Sequence, residues 1–486
     1  MTSLLPHSGY ALGRFGWALI AILLGLIVAT QSLPVIAVIA TLIAFLLLSA
    51  FTPFAALAFV LVLSPLRTLI ATEASFQLPL DIGQIALIGF IGAWLLHYLV
   101  IKQSLPYLAW SPIYPPLILF ILVTGLTAFN AISLSAWLSE WLKWLQITVI
   151  VVLTLTLASG RKWQWLVAAL IVAGCTNAII GLYEFFGGSG ALHLLINNRF
   201  FRAFGTFGQP NPFGGFMGLL APLAFGAMLG YGLRWWQYHK RKDGIIVILY
   251  GVGAGLLVTG IVISWSRGAW LASVVAIAAM VFAIPRRTRN GLMLAASLGS
   301  ILAILWFGNL LPQSIVNRIS SSTEDFFAFE DMRGVDITAE NYPVVERLAH
   351  WQAALNMAVD HPWLGVGFGN YEIAYPQYRL FNWDEPLGHA HNYYLNILAE
   401  VGFLGLLAYG NVWAVIIWLT WRARKHPDIL SRFVIIGLLG SWIYLLVHSL
   451  FDNLYVNNLF LHLGVMFGIL GIFNNQASND VRLRML

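Results

Sequence analysis

Histidine, asparagine and arginine side chains stand beside apolar runs at three places in this chain, and these groups could do chemistry. The first place is the stretch HAHNYYLNILAEVGFLGL, which puts His389, His391 and Asn392 directly before an apolar run. An ionisable group next to hydrocarbon is costly and usually has a function. Because the pKa of histidine lies near physiological pH, one of these imidazoles could act as a general base. Asp384 or Glu385, a few residues earlier, could orient and tune it.

The two histidines could instead bind a metal ion. Their i and i+2 spacing on a helix would point the side chains about 200° apart. No cysteine is nearby, so Asp384 and Glu385 would have to supply the remaining ligands. We also expect the two rings to diverge in an extended segment, so that only one can reach a bound hydroxyl group. The residues alone therefore favour one of the two histidines as a general base over a metal site.

The other two places each contain an arginine. Arg202 lies in NNRFFRAFGTFGQPNPFGGF, where Gly205 and Gly208 allow tight turns, and Arg267 lies between two apolar runs with almost no loop around it. A guanidinium presents a planar fork of N–H donors that suits phosphate oxygens, and a diphosphate is a natural partner. Each arginine also has a structural alternative. Arg202 could extend to the membrane interface, and Arg267 could form an ion pair between helices.

The composition indicates what must hold these groups. The chain has 486 residues, of which 59% are hydrophobic and 9% are charged, whereas soluble proteins have about 25% charged residues. We therefore predict an all-α polytopic membrane protein with about 12–14 transmembrane helices and one large helical outer-face loop. The fourteen predicted spans are 15–30, 35–50, 54–66, 83–101, 113–130, 146–160, 164–183, 213–232, 245–265, 269–284, 290–308, 395–418, 433–451 and 457–473. The first could be a signal peptide, but the spans that follow favour an uncleaved helix.

Basic residues in the connections predict the orientation of these spans. With fourteen spans, the basic clusters fall on one side, which is then the cytoplasm and holds both termini. The net charge of +6 therefore reports membrane topology, and we expect no nucleic-acid partner. The clusters contain Arg161, Lys162, Lys240, Arg241, Lys242, Arg286, Arg287, Arg289, Arg422, Arg424, Lys425, Arg482 and Arg484.

The opposite face holds the arginines, the histidines and one long loop. We predict a membrane bundle in residues 1–308, an outer-face (periplasmic) loop in 309–394, and further transmembrane helices with a cytoplasmic tail in 395–486. Within the loop, Pro343 to Asp360 has the pattern of an amphipathic helix that packs over the membrane domain. Its apolar stripe consists of Leu348, Trp351, Leu355 and Ala358. The segment GVGFGN that follows is typical of a tight turn, since it lacks the preceding strand of a nucleotide-binding loop.

The segment SLSAWLSEWLKWLQ, residues 133–146, is also amphipathic. Its tryptophans and leucines share one face, and its serines, glutamate and lysine lie elsewhere around the helix. This pattern predicts a helix in the plane of the membrane interface, as an anchor or as a guide for a lipid substrate.

Taken together, these motifs resemble the O-antigen ligase and polymerase superfamily, whose members are membrane enzymes that move glycans from a polyprenyl-diphosphate carrier. The resemblance covers about residues 180 to 470. It rests on four elements in the family's order: Arg202 with Gly205 and Asn211; Arg267-Gly268-Ala269-Trp270-Leu271; Glu346-Arg347 through His361-Pro362-Trp363-Leu364-Gly365-Val366-Gly367; and His391-Asn392 followed after nine residues by Gly402-Phe403-Leu404-Gly405.

The resemblance implies roles for these residues. Arg202 and Arg267 would hold the diphosphate of a polyprenyl-linked glycan donor, and His391 would activate the hydroxyl group of a lipid or glycan acceptor. No cofactor is implied. The site would lie on the periplasmic face of a bacterial cytoplasmic membrane, among membrane lipids. The supporting residues would be His389, Asn392, Arg347, Asp384 and Glu385.

Several activities remain open at this point. Ligases and polymerases share these motifs, and another branch glycosylates serine or threonine in proteins; we favour a ligase. A transporter or channel with Arg267 in its pathway is the alternative from another class. Transporters place broken helices at the membrane midplane, whereas the polar groups of this chain cluster at one predicted face.

Overall fold

The computed structural model describes residues 43, 45–66, 82–106, 108–188, 190–196, 199–310, 316, 331–333, 335, 337 and 342–485. The predicted span 15–30 and most of the span 35–50 lie outside these residues. The chain forms two compact units. The smaller contains residues 1–60 and 70–106, and the larger contains 61–69 and 107–486.

Helices account for almost all of the described secondary structure. They are α1 Pro53–Leu63, α2 Ile82–Leu96, α3 Tyr114–Leu126, α4 Leu134–Leu157, α5 Trp163–Tyr183, α6 Pro210–Tyr238, α7 Arg241–Ile263, α8 Arg267–Ala283, α9 Thr288–Phe307, α10 Tyr342–Asp360, α11 Tyr371–Tyr378, α12 Tyr393–Ala423, α13 Ile429–His448 and α14 Leu459–Met485. A short antiparallel pair, β1 Leu195–Ile196 and β2 Phe200–Phe201, completes them.

The predicted class, an all-α polytopic membrane protein, is confirmed. Among the described residues, eight helices are long and apolar enough to cross a membrane: α4, α5, α6, α7, α9, α12, α13 and α14. Four shorter apolar helices, α1, α2, α3 and α8, accompany them. Each of these helices overlaps one predicted span from 54–66 onward, although α4 begins twelve residues before the predicted span 146–160. Apolar runs form helices in a bilayer because a helix satisfies its own backbone.

In the larger unit, α6 packs closely against α7 and α13. Gly226 of α6 and Gly437 of α13 allow this approach, since a Cβ atom at either position would collide with the backbone of the other helix. Small residues at such crossings are typical of membrane helices, which associate through close packing. The contact brings the start of α6 and the end of α13 into one region, and Tyr444 of α13 donates a hydrogen bond to the Gly214 carbonyl (3.0 Å).

The segment 133–146 does not form a separate interfacial helix, and that prediction is wrong. It is the first half of α4, which continues without a break to Leu157. Trp137 and Trp141 donate their indole N–H groups to the carbonyls of Thr124 and Ile121 in α3. The tryptophans of the amphipathic pattern therefore mark a helix contact, whereas Leu134 and Leu138 of the same face are exposed.

The amphipathic helix predicted at Pro343–Asp360 is confirmed as α10, but its buried face differs from the predicted stripe. Leu348 and Ala358 are buried, whereas Trp351 and Leu355 are only partly buried. The face that packs against α11 and α12 is built largely from small residues and one histidine: Ala349, His350, Ala353, Ala354 and Met357. Small side chains let α10 approach its neighbours closely, which a stripe of large apolar residues does not predict.

The GVGFGN segment is the tight turn that the sequence predicts, and it is joined to a break in α12. At Gly402 the helix has φ +69° and ψ −167°, a conformation that a side chain disfavours. The N–H groups of Val366 and Gly367 donate to the carbonyls of Ala399 and Glu400, and Phe403 N–H donates to Pro362. The turn therefore satisfies helix groups that the break leaves without helical partners.

The side chain of Glu400 also fixes the GVGFGN turn. It is buried and accepts a hydrogen bond from the Tyr371 N–H (3.0 Å). On the other side, the Asn370 side chain exchanges hydrogen bonds with the backbone of Ser133. These bonds position the start of α11 relative to α12 and to the start of α4.

The predicted orientation has a direct test by cysteine labelling, with Cys175→Ser as the background. We expect Phe381→Cys, in the predicted outer-face loop and 95% exposed, to react with an impermeant thiol reagent in intact spheroplasts. Lys242→Cys, at the exposed start of α7, should react only after the membrane is permeabilised. The reverse labelling pattern would place the histidines on the cytoplasmic face and contradict the orientation.

Candidate functional site

A buried carboxylate lies between the two histidines of the opening motif. Asp452 is 3% exposed and follows α13 in the short connection to α14. Its Oδ1 lies 3.5 Å from Nε2 of His389 and 3.6 Å from Nδ1 of His391. The same oxygen accepts a hydrogen bond from the Asn453 N–H (2.9 Å). A buried carboxylate is stable when such donors surround it.

A hydrogen bond assigns the ring proton of His389. The His391 backbone N–H donates to Nδ1 of His389 (3.0 Å), so that atom carries a lone pair and the proton of neutral His389 lies on Nε2, towards Asp452. For His391, the ring nitrogen beside the carboxylate is Nδ1. At 3.6 Å this nitrogen has no hydrogen bond to the carboxylate; a proton on Nδ1 would face Asp452 and leave Nε2 with a free lone pair, as in a histidine base beside a carboxylate.

Electrostatics keep the carboxylate charged and His389 neutral. Burial raises the pKa of Asp452, but the adjacent His391 and His389 rings outweigh it and hold that pKa well below its ordinary value. Burial lowers the pKa of His389 to about 4; the Asp452 carboxylate raises it, and nearby positive charges lower it further. Those charges include Arg347 and Lys143. At neutral pH the pair is thus an ionised carboxylate and a neutral imidazole.

Two expectations about the histidines need correction. The rings were expected to diverge, yet their centroids are 4.5 Å apart. His391 has φ +51°, a left-handed conformation that turns its side chain back towards His389 before α12 begins. The expected acidic partner was Asp384 or Glu385, but Asp384 is exposed and forms an ion pair with Arg379, and Glu385 is also exposed.

The close approach of the two histidine rings also affects the alternative that they bind a metal ion. Ligand atoms of His389, His391 and Asp452 lie within 4.8 Å of one another. Two imidazoles and a carboxylate are ligands that divalent transition metals accept. The geometric argument against a metal from the i and i+2 spacing therefore does not hold, and the question requires an experiment.

Arg202 and Arg267 lie on adjoining segments. The Ala203 N–H donates to the Ile263 carbonyl (3.0 Å), which pairs these two stretches of backbone. Arg202 donates from Nε to the Ser264 carbonyl (3.1 Å) and from Nη2 to the Asn211 side chain (3.2 Å). Ser264 lies three residues before Arg267, the first residue of α8. The predicted glycine turns are present, with φ +54° at Gly205 and +72° at Gly208.

Packing connects the arginine segments to the histidines. A Cβ atom on Gly268 would lie 2.9 Å from Cβ of Phe451, so the start of α8 touches the residue before Asp452. The start of α12 is joined to the same connection, because the Tyr393 N–H donates to the Ser449 carbonyl (2.8 Å). The structure therefore brings the ends of α6, α8, α12 and α13 into one region.

The supporting residues have separate positions. Asn392 caps α12, since its side-chain oxygen accepts from the N–H groups of Tyr394 and Leu395. This cap explains why an asparagine follows His391 in the motif. Arg347 lies on α10, and its charge acts on His389. Asp384 and Glu385 are exposed, and the acidic member of the histidine cluster is Asp452.

Sequence reasoning did not identify Asp452 or His350. Asp452 lies in the polar segment SLFDNLY between the last two predicted spans, on the same predicted face as His391. Its position on that face could have identified it as a partner for the histidines. His350 is fully buried in α10, with its ring centroid 6.1 Å from that of His391. Nothing in the sequence distinguishes it from an ordinary core histidine.

Comparison with known proteins supplies an independent finding. Residues 252–410 match a family model described as O-antigen ligase. An O-antigen ligase of Pseudomonas aeruginosa is 31% identical over 90 residues, which cover 18% of this chain and 21% of that protein. The teichuronic acid biosynthesis protein TuaE of Bacillus subtilis is 29% identical over 110 residues, or 22% of each chain. The chain thus matches about a fifth of the length of each relative.

Proposed function

Because the resemblance to the O-antigen ligase superfamily is confirmed by these matches, we propose that this bacterial inner-membrane protein is a glycan transferase of that type. Its donor would be a glycan on undecaprenyl diphosphate, and its acceptor a lipid or glycan, on the periplasmic face of the cytoplasmic membrane. The observation that carries the proposal is the position of His391, 3.6 Å from the buried Asp452 carboxylate and beside two arginine segments. Activity would need no cofactor.

The reaction follows from the positions of these groups. Nε2 of His391 accepts the proton of the acceptor hydroxyl as its oxygen forms a bond to the anomeric carbon of the donor. The bond between that carbon and the diphosphate oxygen breaks, and the electron pair leaves with the diphosphate. Arg202 and Arg267 stabilise the developing negative charge. Asp452 keeps the proton of neutral His391 on Nδ1 and stabilises the imidazolium that forms.

The first amide groups of α8 add to the proposed diphosphate site. A helix N-terminus carries partial positive charge and unpaired N–H groups, and α8 begins at Arg267 itself. Two arginines and these amides would supply positive charge without a divalent ion. Both guanidinium groups lie at the predicted outer ends of helices, which suits a donor whose polyprenyl chain lies in the bilayer.

A polymerase of the same superfamily and a protein glycosyltransferase would use the same groups, and we propose a ligase ahead of either. The test is incubation of the purified protein with an undecaprenyl-diphosphate-linked oligosaccharide and three acceptors: a core glycolipid, a second donor molecule, and a serine-containing peptide. Transfer to the glycolipid supports the ligase. Solute flux through liposomes without any transfer would support a transporter or channel and reject the proposal.

The diphosphate clamp predicts that Arg267→Lys retains the charge but loses the bidentate fork. We expect the transfer rate to fall by about tenfold or more, which corresponds to about 1.4 kcal/mol of transition-state stabilisation. Arg202→Ala should also lose activity. Initial rates with the lipid-linked donor provide the measurement, and Arg333→Lys, on an exposed ion pair, is the control. A wild-type rate for a folded Arg267→Lys protein would assign Arg267 a purely structural role.

The metal-free mechanism predicts that activity survives prolonged dialysis against EDTA. The measurement is the transfer rate after dialysis, compared with a sample dialysed without chelator and with elemental analysis of both. Equal rates are expected, because arginine charge replaces that of a divalent ion. Loss of activity that one ion restores would assign His389, His391 and Asp452 to a metal site and exclude His391 as a free base.

A further inference from the structure

One face of α10 carries the positively charged Arg347 and the buried His350 ring, next to the histidine motif that contains His389 and His391. Arg347 and His350 are one turn apart, and residues at i and i+3 share a helix face. The His350 ring stands nearly perpendicular to that of His391, at 81°, with centroids 6.1 Å apart. Neither residue has a role in the transfer step described above, so the purpose of this face is open.

The His350 ring is fixed and presents one unused nitrogen. It stacks on Tyr375 with centroids 4.7 Å apart, and its Nδ1 lies 3.0 Å from the Tyr371 hydroxyl. That hydroxyl donates its hydrogen to the His350 carbonyl (3.2 Å), so both contacts are satisfied only when Nδ1 is the protonated nitrogen. Nε2 then carries a lone pair. It is buried and has no hydrogen-bond partner among the described residues.

An unpartnered polar atom in a fully buried side chain calls for an explanation. Burial lowers the pKa of His350 to about 4, and the charges of His391 and His389 lower it further. The ring is therefore neutral, and Nε2 can only accept. A hydroxyl group of a bound molecule would satisfy it.

Arg347 differs from the other arginines described in the same loop. Arg333 pairs with Asp331, and Arg379 pairs with Asp384. Arg347 is half-buried and has no acidic partner within the part of the chain that the structure describes. It lies one turn before His350, whose ring centroid is 6.1 Å from that of His391, so it is close to the histidine motif. A half-buried guanidinium without a carboxylate is suited to an anionic ligand.

This face of α10 and the two arginine segments approach the histidine motif from different helices. α8, which begins at Arg267, touches Phe451 through Gly268, and Asp452 follows Phe451 and reaches His391. His350 approaches His391 from α10. The histidine motif is therefore contacted from the proposed donor site through Asp452 and from α10 through His350.

We propose that Arg347 and His350 form the subsite for the acceptor, which carries an anionic group, phosphate or carboxylate, near the hydroxyl that is glycosylated. Arg347 binds the anionic group, and Nε2 of His350 accepts a hydrogen bond from a neighbouring hydroxyl. This inference rests on the proposed function, because it assigns the second substrate of the same site. It restricts acceptors to acidic glycans or glycolipids.

The test uses two small probes, glucose 6-phosphate for the acceptor and inorganic diphosphate for the leaving group. Phosphorus NMR titration of the full-length protein in detergent gives a Kd for each. We expect Arg347→Gln to weaken glucose 6-phosphate about tenfold or more and to change diphosphate binding by less than about twofold. His350→Phe retains the stacking on Tyr375 and should weaken glucose 6-phosphate as well. Glucuronic acid, added as a competitor, shows whether a carboxylate can replace the phosphate.

Arg333→Gln is the matched control and should bind both probes as the wild type does, because its exposed ion pair contributes little. If His350→Phe does not fold, as judged by size-exclusion chromatography, Arg347→Gln alone decides. Three results would overturn the inference: no binding of glucose 6-phosphate to wild type, wild-type affinity in Arg347→Gln, or an equal loss of diphosphate binding in that variant. Unchanged diphosphate binding in Arg202→Ala would instead contradict the donor clamp and leave the acceptor subsite standing.

Discussion

Replacing His391 by alanine should lower the rate of glycan transfer by about 10²–10⁴-fold, the usual contribution of a general base. His389→Ala should lower it by less than about tenfold. The two rings are neighbours, but their free nitrogens differ. Nδ1 of His389 accepts from the His391 backbone and its Nε2 faces Asp452, so His389 has no lone pair to offer a substrate. His391 is 18% exposed at its side chain and keeps Nε2 available.

The pH dependence separates the two assignments. His389 titrates only near its pKa of about 4, so an acid limb well above pH 4 cannot come from it. The pH–rate profile of His389→Ala should therefore keep its wild-type shape above pH 4, and a changed shape there would show that His389 takes part in proton transfer. Equal losses in both single variants, each folded by size-exclusion chromatography, would reject a single base.

Asp452→Asn should lower kcat by about 10²–10⁴-fold with little change in KM for the donor. An asparagine amide can donate to Nδ1 of His391, which moves the ring proton to Nε2 and removes the base. The neutral side chain also no longer stabilises an imidazolium. Asp452 lies beside both histidines, so its replacement should act on the base, and binding of the donor should persist.

The matched control for this variant is Asp428→Asn. Asp428 caps α13 by accepting from the Ser431 N–H (2.9 Å), and asparagine is an equally good cap. That variant should retain the wild-type kcat. If Asp452→Asn raises KM for the donor and leaves kcat unchanged, Asp452 shapes the binding site and does not orient the base. A folded Asp452→Asn protein with wild-type kcat would refute the orientation role outright.

Much of the fold could be predicted from the sequence, because its determinants are local. A run of apolar residues long enough to cross the bilayer must be helical, since only a helix satisfies its backbone within one segment. This is why each apolar helix from α1 onward overlaps a predicted span, whereas α10 and α11 lie in the predicted loop. The period of α10 and the glycines of the GVGFGN turn are equally local signals. The chemistry-bearing residue types, histidine and arginine beside hydrocarbon, are visible for the same reason.

The arrangement of the site depends on contacts between distant residues, which no local pattern contains. Asp452 lies beside His391 only because α12 and α13 are joined at Tyr393 and Ser449. The rings of His389 and His391 converge because of one left-handed backbone angle at His391, whereas spacing alone predicts that they diverge. Likewise, the amphipathic residues 133–146 pack on α3, which the sequence could not distinguish from a membrane surface. Local sequence patterns therefore determined the helices and the types of the functional residues. Tertiary packing decided which group each functional residue contacts.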